Sequence, residues 1–161
     1  MPRLLAVLFV TPALAAGAFE SDWSISAKSR ARLIADARGP ALEIALSPGA
    51  VTYWRDPGES GVPPTFDFSK SENLARAEVD FPAPQRIAEP DGSQAFGYRD
   101  GVTLPIRATP ADPAKPVRLV VHVDYGVCEK ICLPARADVA LALGQAGASP
   151  YGKALAQARA Q

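Results

Sequence analysis

The run Val117-Arg118-Leu119-Val120-Val121-His122-Val123-Asp124-Tyr125 constrains this chain more than any other feature. Val117, Leu119, Val121, Val123 and Tyr125 fall on one side of an extended backbone, and Arg118, Val120, His122 and Asp124 on the other. A period of two does not keep to one face of a helix, so the segment is a strand with one buried side. Residues 23–36 read the same way: Lys28, Arg30 and Arg32 oppose Ala27, Ala31 and Leu33. Further strands are predicted at 42–46, 51–55, 77–81, around Ile87, at 102–109 and at 138–143. Pro105 has no N–H to donate to a ladder, which predicts an edge position for 102–109.

Sixteen prolines and twelve glycines punctuate these runs. Ser47-Pro48-Gly49, Asp56-Pro57-Gly58 and Asp100-Gly101 are turn signals, and residues 56–75 read as a long irregular stretch. Seven or so short strands, frequent turns and no helical pattern between them predict an all-β fold, an antiparallel β-sandwich. A parallel α/β fold, the thioredoxin fold included, is excluded for want of intervening helices. Residues 146–161 form a tail in which Ser149-Pro150 predicts the N-cap and first residue of a short C-terminal helix.

The first residues read as a signal peptide over 1–18. Arg3 supplies the positive end, residues 4–14 the apolar run, and Ala13-Leu14-Ala15 or Ala16-Gly17-Ala18 the cleavage site. A membrane-spanning helix needs about 20 apolar residues, and Pro12 interrupts this one. The expectation is a mature chain starting near residue 16 or 19, working outside the cytoplasm, with one domain over 19–145. Formal net charge is zero and no Lys/Arg cluster tracks phosphates, which excludes nucleic acid as a partner. Nothing in the sequence calls for a cofactor.

Cys128 and Cys132, the only two cysteines, follow the strongest strand. In an extended chain residues four apart lie about 13 Å apart. A disulfide needs Cα atoms within about 7 Å. A bond therefore requires a turn between them, and with no glycine or proline there a helix-like turn is the simplest expectation. Three readings stand. A loop this short gives only roughly 2 kcal/mol as a staple, whereas two adjacent thiols resolve a mixed disulfide quickly. Cys128, Cys132 and the single histidine, His122, would together suit a soft ion such as Cu(I), or zinc. In the exchange reading Cys128 is the expected attacking sulfur, as the one nearer the surface, and Glu129 and Lys130 pull its acidity in opposite directions. Tyr53 and Trp54 are expected as packing residues, as is Tyr125.

The segment Tyr53-Trp54-Arg55-Asp56-Pro57-Gly58-Glu59-Ser60-Gly61-Val62-Pro63-Pro64 belongs to a wider pattern. With it go Phe66-Asp67, Ser71-Glu72-Asn73-Leu74, Phe81-Pro82-Ala83-Pro84-Gln85-Arg86, Gly97-Tyr98, Leu104-Pro105-Ile106 and the segment from Asp124 to Pro134 that holds both cysteines. Together, over about residues 22–143, these resemble the N-terminal periplasmic domain of the protein-disulfide reductase DsbD, in the branch that includes the ScsB-like proteins linked to copper stress. The resemblance implies an immunoglobulin-like sandwich and a thiol-disulfide oxidoreductase of the protein-disulfide reductase type, with Cys128 and Cys132 as the exchanging, catalytic pair. It implies electrons from a membrane-embedded reductase, the chain meeting the membrane only through that partner. It implies delivery to periplasmic thiol-disulfide proteins, among them disulfide isomerases and cytochrome c maturation factors. A copper-tolerance module holding metal on the same cysteines is the alternative. The family shields its cysteines with a cap, for which 56–73 and Phe96-Gly97-Tyr98 are candidates. Two departures are the three-residue cysteine spacing, shorter than in the best-known members, and the membrane and thioredoxin-like domains into which full-length members continue. The expectation is that a separate reductant serves this domain.

Overall fold

The alternating run becomes an interior strand of one sheet of a sandwich. The computed structural model describes residues 19–89 and 92–161, so the signal-peptide reading of 1–18 lies outside the described residues. In chain order the elements are β1 (Ser24–Ser26), β2 (Ser29–Asp36), β3 (Gly39–Leu46), β4 (Val51–Gly58), β5 (Thr65–Asp67), β6 (Leu74–Val79), β7 (Gln85–Ala88), β8 (Gln94–Arg99), β9 (Gly101–Pro110), β10 (Arg118–Cys128), β11 (Cys132–Ala142) and α1 (Gly152–Arg159). One sheet runs β1-β2-β3-β9-β6 and the other β11-β10-β4-β8-β7, with β5 added to β10. Every strand pair is antiparallel. The core lies between the sheets. Leu33, Leu42, Ile44, Leu104 and Ile106 meet Leu119, Val121, Val123, Tyr125 and Val127 there, so the parity read in the sequence is the parity that is buried. Among the described residues no helix is long and apolar enough to cross a membrane.

Several elements differ from the sequence expectation. Residues 23–36 are a hairpin of β1 and β2, because Lys28 takes a left-handed φ of 47°. The alternation passes through that turn and hides it. β9 is interior, flanked by β3 and β6. Pro105 is tolerated because its carbonyl, which accepts from Asp80 N at 2.8 Å, faces the end of β6. Its missing N–H thus points where β6 has already stopped. The stretch 56–75 contains the end of β4 and all of β5, and β8 is a strand that its own sequence pattern does not announce. The C-terminal helix exists but begins at Gly152 after Tyr151. Ser149 instead donates from Oγ to Ala35 O at 2.6 Å and accepts from Tyr151 N at 3.1 Å. Leu155 of α1 is fully buried on Ile34 and Ala41, the outer face of the first sheet, and Arg159 pairs with Asp36 at 2.8 Å.

Candidate functional site

β10 and β11 pair along their whole length, from Arg118 opposite Ala142 to Cys128 opposite Cys132. The cysteines are therefore the last residue of one strand and the first of the next. They face each other across a hairpin closed by Glu129, Lys130 and Ile131. This corrects the helix-like turn: directly opposed residues of an antiparallel pair already stand within disulfide reach. The Cα atoms are 4.0 Å apart and the sulfurs are bonded. A hairpin with no glycine or proline in its loop gives no turn signal, so the sequence had no means of announcing it.

The two sulfurs have unequal surroundings. Cys132 is exposed, whereas Cys128 is only 4% exposed and packs with Val51, Tyr53, Ile87 and Ala95 on the outer face of the second sheet. That reverses the expectation that Cys128 lies nearer the surface. The strand that carries Cys128 continues the outward parity of His122 and Asp124, but here the Tyr53 side chain of the neighbouring strand β4 packs on it, and Val62 and Pro63 of the segment after β4 line the cavity beside it. β4 meets β10 at Val51 and Cys128. Thr52 Oγ1 donates to Gly126 O at 2.8 Å, fixing that contact.

Tyr53 completes the buried side. Its hydroxyl lies 3.0 Å from Cys128 Sγ, 3.7 Å from Cys132 Sγ and 3.1 Å from Glu89 Oε1. A hydroxyl has one proton, and a carboxylate is a far better acceptor than a disulfide sulfur. The proton therefore goes to Glu89 in the bonded state, and the oxygen faces the sulfurs. Burial first, then the charge and hydrogen bond of Glu89, push the Tyr53 hydroxyl up to about 12, so it stays a donor at neutral pH. Tyr53 is thus more than the packing residue its sequence context predicts. Its partner Glu89 lies 36 residues away on another strand's end, and no local pattern links the two.

A cavity of about 320 Å³ opens beside the disulfide, lined among others by Val62, Pro63, Tyr125, Gly126, Leu133 and Pro134 as well as both cysteines. Part of the first cap candidate thus does lie at the site. Gly61 is required there: a Cβ would come within 2.7 Å of both the Tyr53 ring and Pro57. Phe96-Gly97-Tyr98 does not line the cavity. Tyr125 is core packing, its hydroxyl 2.8 Å from Ser29 Oγ and not on the sulfurs. Trp54 packs half-buried against the core with the Arg55 guanidinium over its ring.

His122 is not brought to the cysteines. It lies six residues back along β10, about 20 Å at roughly 3.3 Å per residue. Both its nitrogens face carboxylates, Nδ1 at 2.8 Å from Asp138 and Nε2 at 3.2 Å from Asp124. The proposed trio of Cys128, Cys132 and His122 is therefore not a single site, and among the described residues no cluster of three or more potential ligands is arranged for a metal. The hydrogen bond to Asp138, followed by the charges of Asp138 and Asp124, raises the His122 pKa above its usual 6.5. A group that titrates higher in the folded chain stabilises it below the unfolded value, and that contribution disappears as pH rises through the folded value. The expected result is a thermal midpoint that falls slightly between about pH 6 and pH 8. In His122→Gln this component of the pH dependence is lost. The effect is small because the cluster is exposed.

Comparison with known proteins follows this geometry. No curated protein matches the sequence. Among solved structures, the N-terminal periplasmic domain of ScsB from Proteus mirabilis matches with a TM-score of 0.68 and 23% identity, covering 88% of this chain and 58% of that one. At that identity the likeness shows the fold, an immunoglobulin-like β-sandwich, and the chain spans a little over half the length of that structure. Residues 26–144 match the family described as "Thiol:disulfide interchange protein DsbD, N-terminal". Because that match runs from the first hairpin through both bonded cysteines to the end of the sandwich, the chain belongs to the DsbD N-terminal family of thiol-disulfide interchange domains.

Proposed function

We propose that this domain works in the periplasm and relays reducing equivalents from a membrane-embedded reductase to oxidised thiol proteins, with Cys132 as the attacking and attacked sulfur and Cys128 as its resolving partner. The observation that carries the assignment is the unequal exposure of the pair: residue Cys132 is exposed, whereas Cys128 is buried beside Tyr53. An incoming thiolate attacks Cys132 Sγ. The bond to Cys128 breaks, and Cys128 leaves as a thiolate while a mixed disulfide forms at Cys132. A second thiolate of the reductant then attacks its own sulfur in that mixed disulfide and releases Cys132. Two electrons and two protons have then passed to the domain. Delivery is the reverse: the Cys132 thiolate attacks a substrate disulfide, and Cys128 displaces the reduced substrate.

A buried thiolate is costly unless a donor meets it. Tyr53 is placed to turn its O–H from Glu89 to Cys128 as that charge appears. It acts as a donor and not as an acid, since its own proton is held too tightly to give up. Tyr53→Phe is expected to slow attack on the disulfide about tenfold or more, the value of one hydrogen bond to a charged group. Stopped-flow reduction by dithiothreitol checks this. Unchanged rates would remove Tyr53 from the mechanism.

The relay itself is tested in cells by acid quenching followed by thiol alkylation. The expected result is a partly reduced pair that becomes fully oxidised when cytoplasmic thioredoxin is deleted. A redox state indifferent to that deletion contradicts the proposed electron source.

A further inference from the structure

The turn between β1 and β2 is fastened to the redox hairpin at three points. Ser26 Oγ accepts from Arg136 N of β11 at 3.1 Å. Ser29 Oγ lies 2.8 Å from the Tyr125 hydroxyl of β10 in a buried contact. Between them the Lys28 ammonium donates to the Glu129 carboxylate, the first residue of the three-residue loop that joins the cysteines. Lys28 holds the left-handed φ of 47° that an L side chain adopts only at some cost. Its carbonyl also accepts from Ser47 N at 2.8 Å. The ammonium is thus delivered from a braced turn, across 101 residues of sequence.

We propose that Lys28 is a positioning residue of the redox site, holding Glu129 and keeping that negative charge off the sulfurs of Cys128 and Cys132. The inference rests on the exchange reading of the cysteines. Stability is not a sufficient account of the pair. Its side chains are 47% and 37% exposed, and ion pairs of that kind contribute little to folding. A charge near a thiol acts on the thiolate directly, however: Glu129 lies in the three-residue loop between Cys128 and Cys132, and its carboxylate disfavours a second negative charge on either sulfur. With Lys28 in place the loop presents Lys28, Glu129 and Lys130, a net positive surrounding. Without Lys28 the cations and anions of the loop only balance. The other charges nearby do not compensate: Glu89 stands behind the Tyr53 hydroxyl, and Asp124, which lines the same cavity, is paired with Arg136 at 2.8 Å.

The test is the pH profile of iodoacetamide alkylation of the pre-reduced protein, read at Cys132 by peptide mass. Lys28→Met is expected to raise the thiol midpoint by about half a unit, roughly a threefold drop in alkylation rate at fixed neutral pH. Glu129→Gln is expected to lower it by a similar amount, the double variant to fall between the two, and Lys28→Arg to match the parent. In about 1 M salt the differences collapse, as charge effects do and packing effects do not. Midpoints that stay together, or that move in the same direction in Lys28→Met and Glu129→Gln, overturn the proposal. The exchange reading is judged separately, by whether the parent equilibrates with a dithiol at all, so the two failures are distinguishable.

Discussion

Cys132→Ser is expected to abolish exchange in the folded protein, and Cys128→Ser to arrest it half-way. In the first variant the remaining thiol is the one that is 4% exposed under Tyr53. Oxidised glutathione should label it no faster than background. In the second, the exposed Cys132 attacks glutathione disulfide, releases one glutathione and retains the other, because no neighbour is left to resolve the adduct. Intact-mass measurement under non-reducing conditions distinguishes the two directly. Both variants lose the same short-loop disulfide, worth roughly 2 kcal/mol, and near-UV circular dichroism of each shows whether the buried serine of Cys128→Ser disturbs the fold. A stable adduct on Cys132→Ser with an inert Cys128→Ser would reverse the assignment.

The second large effect lies away from the sulfurs. Gly97 of β8 sits opposite Tyr53 of β4 and opposite Gln85 of β7. A Cβ at this position would come within 2.1 Å of Thr52 O and 3.1 Å of the Ile87 side chain. The first of these is backbone, and it cannot swing aside. Gly97→Ala is therefore expected to lower stability by about 1–3 kcal/mol, the range for forced overpacking of an interior. The strand pushed off is the one that braces Tyr53, so the rate of disulfide reduction should fall with it. A urea titration with a lowered midpoint and unchanged slope is the expected result. Gly152→Ala is the control: nothing lies within 4 Å of its Cβ, and in the first turn of α1 it should be neutral or slightly stabilising. Equal stability of the two variants would mean that β4 and β8 are not held as closely as described.

How much of this was readable beforehand depends on what each element needs. β10 was legible as far as Tyr125 because alternation alone specifies it there, and Leu119, Val121, Val123 and Tyr125 are all buried on one face; its last three residues, Gly126 to Cys128, read as part of a turn. Pro105 misled because a proline in an interior strand normally breaks a ladder, and only the early stop of β6 spares this one. The β1–β2 and β10–β11 turns were hidden for a shared reason. Ala27-Lys28 and Glu129-Lys130-Ile131 carry no glycine or proline, and their conformations are imposed by the paired strands and, at the second, by the bonded cysteines. β8 was missed because Gly97 weakens the strand pattern at the place where close backbone approach requires a glycine. The cysteine pair was visible at once. Its asymmetry was not, because what buries Cys128 is Tyr53 from a strand 75 residues earlier. Burial of that kind is long-range packing and leaves no mark in the local sequence.

The central claim is that the bonded pair at the hairpin tip is an exchanging pair and not a staple. Its most direct test is an equilibrium titration of the purified, folded protein against a series of oxidised and reduced dithiothreitol ratios, with the pair trapped by alkylation and the fold monitored by near-UV circular dichroism. The account predicts a reversible two-electron transition, reached from either direction, with the dichroism signal of the sandwich retained throughout. A disulfide that yields only when the tertiary signal is lost would contradict it.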